Sequence, residues 1–305
     1  MRIMRPALLA ALPLTIALAS CSPALPAPDH AEVAYAPLSD TQKLDLYLPE
    51  GSGPFPLVIN IHGGGFRMGD KGMLDVEILD ALRARGIAVA SIDYRLSGEA
   101  RFPAAIEDAK AAVRFLRANA ARYRLDPERF LAFGQSAGGN LASLIGTTGN
   151  TQAFDNPALG NPGVSAHVSA VIDWFGPSDF AQMDAQARAQ GCTPDHGAAD
   201  SPESTYLGAP IAALPDKVKA ANPVTYIDAA DPPFLLQKGS EDCLVPVGQS
   251  QVLEQALRQA GVPAELDVLE GAGHGDMGLW TPIFLSDANV KRVADFAEAQ
   301  LRKSR

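Results

Sequence analysis

Short, continuous runs of β-branched and other apolar residues recur along this chain and most constrain what it can fold into. Such runs are typical of strands that are buried on both faces of a parallel sheet. Longer segments with helical periodicity separate the runs, so that strand and helix alternate from about residue 41 onward. This alternation predicts an α/β fold, with a mostly parallel central sheet flanked by helices on both faces.

The pattern predicts the bounds of individual elements, and one long connection departs from it. Strands are expected at 44–49, 56–64, 87–94, 129–134, 169–176, 233–239 and 264–271, and helices at 73–85, from 103, and at 137–145, 249–260 and 287–302. Residues 177–222 are rich in Ala, Asp, Pro and Gln and have weak periodicity. Because so long a connection inside a compact domain is usually a functional insertion, this segment is predicted to form a small cap over the site.

The first twenty residues have the features of an export signal. Arg2 and Arg5 precede an apolar run over residues 6–19, which is too short to span a bilayer comfortably. The run ends in Leu-Ala-Ser-Cys, which resembles the bacterial lipobox and predicts lipidation of Cys21. Residues 1–20 are therefore predicted to be a signal peptide of the lipoprotein type; ordinary secretion, with Cys21 incidental, is the alternative.

The segment that follows is predicted to connect a membrane anchor to the folded domain. Residues 21–40 are rich in Pro and Ala, a composition typical of an extended tether, and the α/β domain is expected to span residues 41–305. Ser22, rather than Asp, follows the cysteine, as in lipoproteins of the outer membrane. We therefore expect an outer-membrane or periplasmic lipoprotein that contacts the membrane only through its lipid anchor.

The acidic net charge argues against a nucleic-acid partner. The formal net charge is −10, the sequence pI is near 5.0, and no basic stripe is present that could neutralise phosphates, so a nucleic-acid partner is not expected. The acidity fits a soluble protein with neutral substrates. No feature of the sequence predicts an oligomeric state.

The motif Gly134-Gln135-Ser136-Ala137-Gly138 lies between a predicted strand and a predicted helix. In that context G-x-S-x-G forms a sharp turn that raises the serine hydroxyl clear of the sheet, and side chains at the two glycines would clash. Ser136 is therefore the candidate nucleophile. A glycine-serine turn without chemistry is the alternative.

A second glycine motif, His62-Gly63-Gly64-Gly65-Phe66, follows a predicted buried strand. Successive glycines leave backbone N–H groups unobstructed, as stabilisation of an oxyanion requires. The amides of Gly64, Gly65 and Ala137 are predicted to converge on the oxyanion of a tetrahedral intermediate. A loop selected only for tightness is the alternative.

A serine nucleophile needs a base, and the base needs an acid that fixes its tautomer. His274 lies among small residues in Gly-Ala-Gly-His-Gly just after the last predicted strand, whereas the other histidines lie in the glycine motif or at expected surface positions. Asp242 follows the predicted strand 233–239, with Glu241 as its only serious rival. The triad is therefore predicted to be Ser136, Asp242 and His274, in the chain order that α/β-hydrolases use.

These motifs resemble those of a known family of esterases. HGGGF, DYRL, FPAAIEDA, GQSAGG and GAGHG resemble the hormone-sensitive-lipase-like esterases, and SPES, NPVTYI and DPPFLL are similar to the BD-FAE branch, which resembles acetyl-xylan and feruloyl esterases. The resemblance covers about residues 41–303 and implies an α/β-hydrolase fold, the same triad and the same oxyanion hole. It implies a small-molecule or carbohydrate ester as the substrate and hydrolysis of short-chain acyl esters, with acetyl or feruloyl esters of plant polysaccharide as candidates. A prolyl-oligopeptidase-type peptidase and a catalytically silent binding protein are the alternatives.

The remaining predictions concern cysteines, cofactors and the substrate pocket. Cys192 and Cys243 are expected to form a disulfide because an oxidising compartment favours one; two separate buried thiols are the alternative. No side chains have convincing metal-ligand spacing, so neither a metal nor a cofactor is expected. Four aromatic residues are candidates for the acyl pocket, although such residues are more often part of a core: Phe66, Trp174, Phe175 and Trp280.

Overall fold

The predicted strands pair into a single sheet in the computed structural model, which describes residues 25–275 and 282–302. Along the sheet the strand order is β1-β2-β4-β3-β5-β6-β7-β8. The strands are β1 (His30–Ala34), β2 (Lys43–Tyr47), β3 (Phe55–Ile61), β4 (Ala88–Ile92), β5 (Leu125–Gln135), β6 (Ala170–Trp174), β7 (Phe234–Gly239) and β8 (Ala264–Leu269). The pairings of β2 with β1 and with β4 are antiparallel, and the pairings among β3 to β8 are parallel. The predicted, mostly parallel sheet is confirmed.

Helices cover both faces of this sheet, as predicted. They are α1 (Val76–Arg83), α2 (Ala104–Ala118), α3 (Ala137–Thr148), α4 (Met183–Ala189), α5 (Pro202–Leu207), α6 (Pro215–Ala221), α7 (Val247–Gln259) and α8 (Asp287–Gln300). Side chains of β3 alternate between two cores: Leu57 and Ile59 join the core that contains residues of α2, α3 and α7, and Val58 joins the core that contains residues of α1 and α8. Among the described residues, no helix has the length and apolar character needed to cross a bilayer.

The structure corrects the predicted extent of the tether. Within residues 21–40, the segment His30–Ala34 forms the edge strand β1 and pairs with β2, so His30 lies opposite Leu46. Side chains at this edge also contact the domain: the His30 ring packs edge-on against Tyr123 with ring centroids 5.1 Å apart, and the Tyr35 hydroxyl donates to the Asp93 carbonyl at 2.6 Å. The tether prediction is therefore wrong for these residues, because backbone pairing needs no apolar side chains.

Residues 177–222, here called the cap segment, lie between β6 and β7 and contain three short helices, α4, α5 and α6. The ring of Tyr206 stacks face to face on Phe66, with centroids 3.9 Å apart. Pro202 lies so close to Gly65 that a Cβ atom built on the glycine would be 3.0 Å from the proline Cβ. The cap segment therefore packs directly against the predicted oxyanion motif.

The close packing of Gly146 in α3 against the sheet predicts a measurable loss of stability on substitution. A Cβ atom on Gly146 would lie 2.6 Å from Val171 Cγ2 and 2.7 Å from Phe234 Cζ. We expect Gly146→Ala to lower the free energy of unfolding by about 1–3 kcal/mol through overpacking, despite the better helix propensity of alanine. Urea denaturation measures this change. The control is Gly98→Ala, where the added atom meets nothing within 4 Å; an equal loss in both variants would contradict the prediction.

Candidate active site

Ser136 lies in a tight turn between β5 and α3, with φ 55° and ψ −119°. This is backbone geometry that a residue with a side chain rarely adopts, and such strain is typical of a nucleophile turn. Two close approaches impose it. A Cβ atom on Gly134 would lie 2.0 Å from the Gly138 carbonyl oxygen, and one on Gly138 would lie 2.0 Å from the Ile61 carbonyl oxygen. Both glycines of the motif are therefore sterically required.

His274 connects Ser136 to Asp242 through two hydrogen bonds. Its Nε2 lies 2.8 Å from Ser136 Oγ, and its Nδ1 lies 2.8 Å from Asp242 Oδ2. The Asp242 side chain is fully buried and that of His274 is 9% exposed. With Nδ1–H donating to the carboxylate, Nε2 is left to accept the serine proton, which is the arrangement of a general base. The structure thus brings together the three residues that the sequence predicts as a triad.

Both oxygens of the Asp242 carboxylate accept hydrogen bonds. Its Oδ1 accepts the backbone N–H groups of Leu244 and Val245, both at 2.9 Å, and its Oδ2 accepts Lys238 Nζ at 2.6 Å in addition to His274. Burial raises the pKa of Asp242, but the hydrogen bond from His274 and the charge of Lys238 outweigh burial, so the pKa lies below its ordinary value. The carboxylate is therefore ionised and fixed in orientation.

Sequence reasoning missed Lys238. It lies one residue before the end of β7 and is fully buried, and burial lowers its pKa against the opposing effect of Asp242. A signal was present: lysine is almost never buried without a partner, and this one lies within a predicted buried strand, Phe-Leu-Leu-Gln-Lys-Gly.

Residues 240–247, here called the acid loop, are fastened to the cap segment. Cys243, next to Asp242, forms the predicted disulfide with Cys192, so that prediction is confirmed. Gln190 Nε2 donates to the Asp242 carbonyl at 2.9 Å, and Gln190 Oε1 accepts the Val247 N–H at 3.0 Å. These contacts hold the backbone around Asp242 from the side of the cap segment.

The glycine loop, residues 62–68, lies against the nucleophile turn. A Cβ atom on Gly63 would be 3.3 Å from the Cβ of Ser136, and the Gly64 carbonyl accepts the N–H groups of Arg67 and Met68, both at 3.1 Å. Within residues 25–275 and 282–302, no acceptor is bonded to the N–H groups of Gly64, Gly65 or Ala137. Backbone donors beside a nucleophile are what an oxyanion hole requires.

His62 supports this loop and does not contact the triad. Its ring stacks on Tyr94 with centroids 4.3 Å apart, its Nδ1 lies 2.7 Å from the Gly63 carbonyl oxygen, and the Tyr94 hydroxyl donates to the His62 carbonyl at 3.1 Å. Burial lowers the pKa of His62, so the ring is held neutral as a structural element.

The predicted pocket aromatics lie mostly in the core. Phe66 is 1% exposed beneath Tyr206, and Trp174 is 2% exposed, with its indole N–H donating to Gln237 Oε1 at 2.6 Å. The rings of these two residues are therefore part of the hydrophobic cores. Phe175 packs edge-on against the His274 ring with centroids 4.7 Å apart. Trp280 lies outside the described residues.

Comparison with known sequences gives a family and a curated relative. The BD-FAE family model matches residues 44–257, a span that includes Ser136 and Asp242. Esterase LipC of Mycobacterium tuberculosis is 31% identical over 224 residues, which are 73% of this chain and 53% of that protein. The chain spans about half the length of the curated relatives it matches.

Two solved structures are similar over nearly the whole chain. A truncated form of a carbohydrate esterase from gut microbiota has a TM-score of 0.81 at 32% identity, covering 90% of this chain and 96% of that one. The bifunctional GH43-CE of Bacteroides eggerthii has a TM-score of 0.80 at 35% identity, covering 90% of this chain and 35% of that one. These similarities confirm the predicted α/β-hydrolase fold.

The disulfide beside Asp242 predicts the outcome of a thiol titration. We expect the denatured, unreduced mature protein to show no free thiol, because Cys192 and Cys243 are paired and Cys21 is expected to be acylated. Ellman's reagent measures this before and after reduction. Cys192→Ser is the control and should release one thiol, that of Cys243. Two free thiols in the unreduced wild type would contradict the pairing.

Proposed function

The chain belongs to the BD-FAE family, and from that premise we propose that it is a serine carboxylesterase that hydrolyses short-chain acyl esters. The observation that carries the proposal is the hydrogen-bonded chain from Ser136 Oγ through His274 to Asp242, with both links at 2.8 Å. A nucleophile, a base and an acid in this geometry perform acyl transfer to water.

Each half of the reaction uses the same three side chains. Ser136 Oγ attacks the ester carbonyl carbon while His274 Nε2 takes the serine proton, and His274 then gives that proton to the departing alcohol oxygen as the C–O bond breaks. The acyl group is left on Ser136. A water molecule, deprotonated by His274, next attacks the acyl carbon, and collapse of that intermediate releases the carboxylic acid and restores the serine.

The backbone donors of the glycine loop and α3 stabilise the charge that develops in both steps. The N–H groups of Gly64, Gly65 and Ala137 would bind the negative oxygen of each tetrahedral intermediate. One such donor contributes about 3 kcal/mol to stabilisation of the transition state. Asp242 stabilises the imidazolium that forms at the same moment, and all of these groups are fixed before substrate arrives.

The proposed substrates are acetyl or feruloyl esters of plant polysaccharide. Support comes from the similarity, at 32% identity, to a carbohydrate esterase over 96% of that chain. The cap segment packs on the glycine loop through Pro202 and Tyr206, beside the proposed oxyanion hole. Neither a metal nor a cofactor has a role in this mechanism.

Two other functions would use the same fold. A prolyl-oligopeptidase-type peptidase shares the triad order, but its oxyanion loop lacks the HGGG sequence that this chain has at residues 62–65. A catalytically silent binding protein usually lacks a triad member, whereas all three are present here and within hydrogen-bonding distance. The esterase therefore accounts for more of the observed residues than either alternative.

Loss of the nucleophile tests the proposed chemistry. We expect wild-type protein to hydrolyse p-nitrophenyl acetate and butyrate faster than decanoate, and Ser136→Ala to lower kcat/KM by a factor on the order of 10⁴ or more. Initial rates at 405 nm measure this. Ser52→Ala, at an exposed serine, is the matched control and should retain wild-type rates.

The outcomes separate the three functions. Release of acetate from acetylated xylan would support the polysaccharide assignment, and release of ferulate from methyl ferulate would support feruloyl as an acyl group. Cleavage of proline-containing peptides in place of esters would favour the peptidase. Absence of hydrolysis of every ester, with Ser136→Ala indistinguishable from wild type, would refute the catalytic proposal and favour a binding protein.

We also propose that the protein is exported and anchored through an acylated Cys21, in the outer membrane or facing the periplasm. The lipobox-like sequence supports the anchor, and the Cys192–Cys243 disulfide supports an oxidising compartment. Cys21 itself lies outside the described residues.

Metabolic labelling with a clickable palmitate analogue tests the anchor. We expect wild-type protein to be labelled and to partition into the detergent phase of Triton X-114, and Cys21→Ser to lose both properties because no other cysteine is available for acylation. Cys192→Ser is the control and should remain labelled. Unlabelled wild-type protein in the aqueous phase would show free secretion instead.

A further inference from the structure

Lys238 has a position that general packing does not explain. It is one of two lysines among the described residues with a fully buried side chain, the other being Lys110. Lys110 donates to carbonyl groups at and just after the end of α3 and pairs with Asp155, with no contact to the triad residues. Among the described residues, Lys238 instead donates only to the carboxylate of the proposed catalytic acid.

Lys238 contacts the same carboxylate oxygen of Asp242 that is hydrogen-bonded to His274. Lys238 Nζ donates to Asp242 Oδ2 at 2.6 Å, and the same oxygen accepts His274 Nδ1 at 2.8 Å. Two groups that can carry a positive charge therefore share one negatively charged oxygen. The other oxygen, Oδ1, is occupied by backbone N–H groups and cannot relieve this competition.

Few other charges can modify this arrangement. Asp173 of β6 is the other carboxylate that acts on Lys238, and it is fully buried and bonded to Ser143 Oγ and the Gly176 N–H. On its far side His274 meets the ring of Phe175 and the hydroxyl of Ser136, neither of which carries charge. Lys238 is thus the cation nearest to the His274–Asp242 pair that the described residues provide.

We propose that Lys238 is a positioning residue that holds Asp242 toward His274 and sets the pH at which the His274–Asp242 pair takes up a proton. A fixed positive charge beside the shared oxygen opposes a second positive charge on the imidazole, so the pair remains in its base-competent form to lower pH. The inference rests on the proposed esterase function, and deepens it by assigning a determinant of its pH range.

If Lys238 had a purely structural role, its substitution would give a different experimental result. Truncating one partner of a buried ion pair is destabilising wherever the pair lies, so a drop in melting temperature alone does not distinguish the two roles. The pH dependence of kcat/KM does, because it reports the protonation of essential groups in the free enzyme. Because His274 and Asp242 interact strongly, the measured midpoint is assigned to the pair and not to either residue alone.

The test compares Lys238→Met with Lys110→Met, using p-nitrophenyl acetate between pH 4 and 9. We expect Lys238→Met to move the acidic midpoint of kcat/KM upward by about one pH unit, since a proton joins the pair more readily once the ammonium is removed. KM should change less than about twofold, because the fully buried Lys238 cannot touch substrate. Lys110→Met should be destabilised with an unshifted midpoint.

Two further variants separate charge from hydrogen bonding and guard against failure to fold. Lys238→Gln retains a donor without the charge and should shift the midpoint as Lys238→Met does. Lys238→Arg retains the charge and should keep the midpoint within a few tenths of a pH unit of the wild type. An unshifted midpoint in both Met and Gln variants, or a downward shift in either, would overturn the proposal.

The wild-type protein offers a test that needs no variant. Lys238 acts through its charge only as an ammonium, so ¹⁵N-lysine NMR should detect a protonated Nζ at this site across the active pH range. A neutral amine there would overturn the proposal. Wild-type protein without esterase activity would instead refute the proposed function, an outcome that remains distinct from active wild type with unshifted variants.

Discussion

The close contact between the end of β3 and the turn after β5 is the constraint on which the site depends. Ile61 pairs with Gly134 in parallel register, so both strands end at the same edge of the sheet. A Cβ atom on Gly138 would lie 2.0 Å from the Ile61 carbonyl oxygen, so only glycine lets α3 begin there. That contact places the glycine loop beside Ser136 and thereby brings the proposed nucleophile next to the backbone donors.

The proposed acid and base, Asp242 and His274, come together in the same way at the neighbouring strands. Gly239 of β7 pairs with Leu269 of β8, so the segments that carry Asp242 and His274 leave the sheet at one edge. Close packing again excludes side chains, because a Cβ atom on Gly239 would lie 2.2 Å from the Gly273 carbonyl oxygen. Residues 138 positions apart in sequence, Ser136 and His274, are thus hydrogen-bonded.

Features encoded locally could be predicted from the sequence, and features defined by distant contacts could not. Buried strands, the serine turn and the glycine loop depend on runs or spacings of a few residues. The edge strand His30–Ala34 has mostly exposed side chains and forms through backbone pairing, which leaves no apolar pattern to detect. Lys238 was visible as a lysine in an apolar strand, but its partner, the Asp242 carboxylate, is defined only once the acid loop folds back over β7.

The cap segment has a second role that follows from where it is attached. A carboxylate that orients an imidazole must be held to within a fraction of an ångström, so the loop that carries it needs support on more than one side. Lys238 supplies that support from the sheet, and the disulfide from Cys192 together with Gln190 supplies it from the end of α4. The position of Asp242 is therefore coupled to the position of the cap segment, and this segment helps to fix the proposed triad independently of any contribution to ester binding.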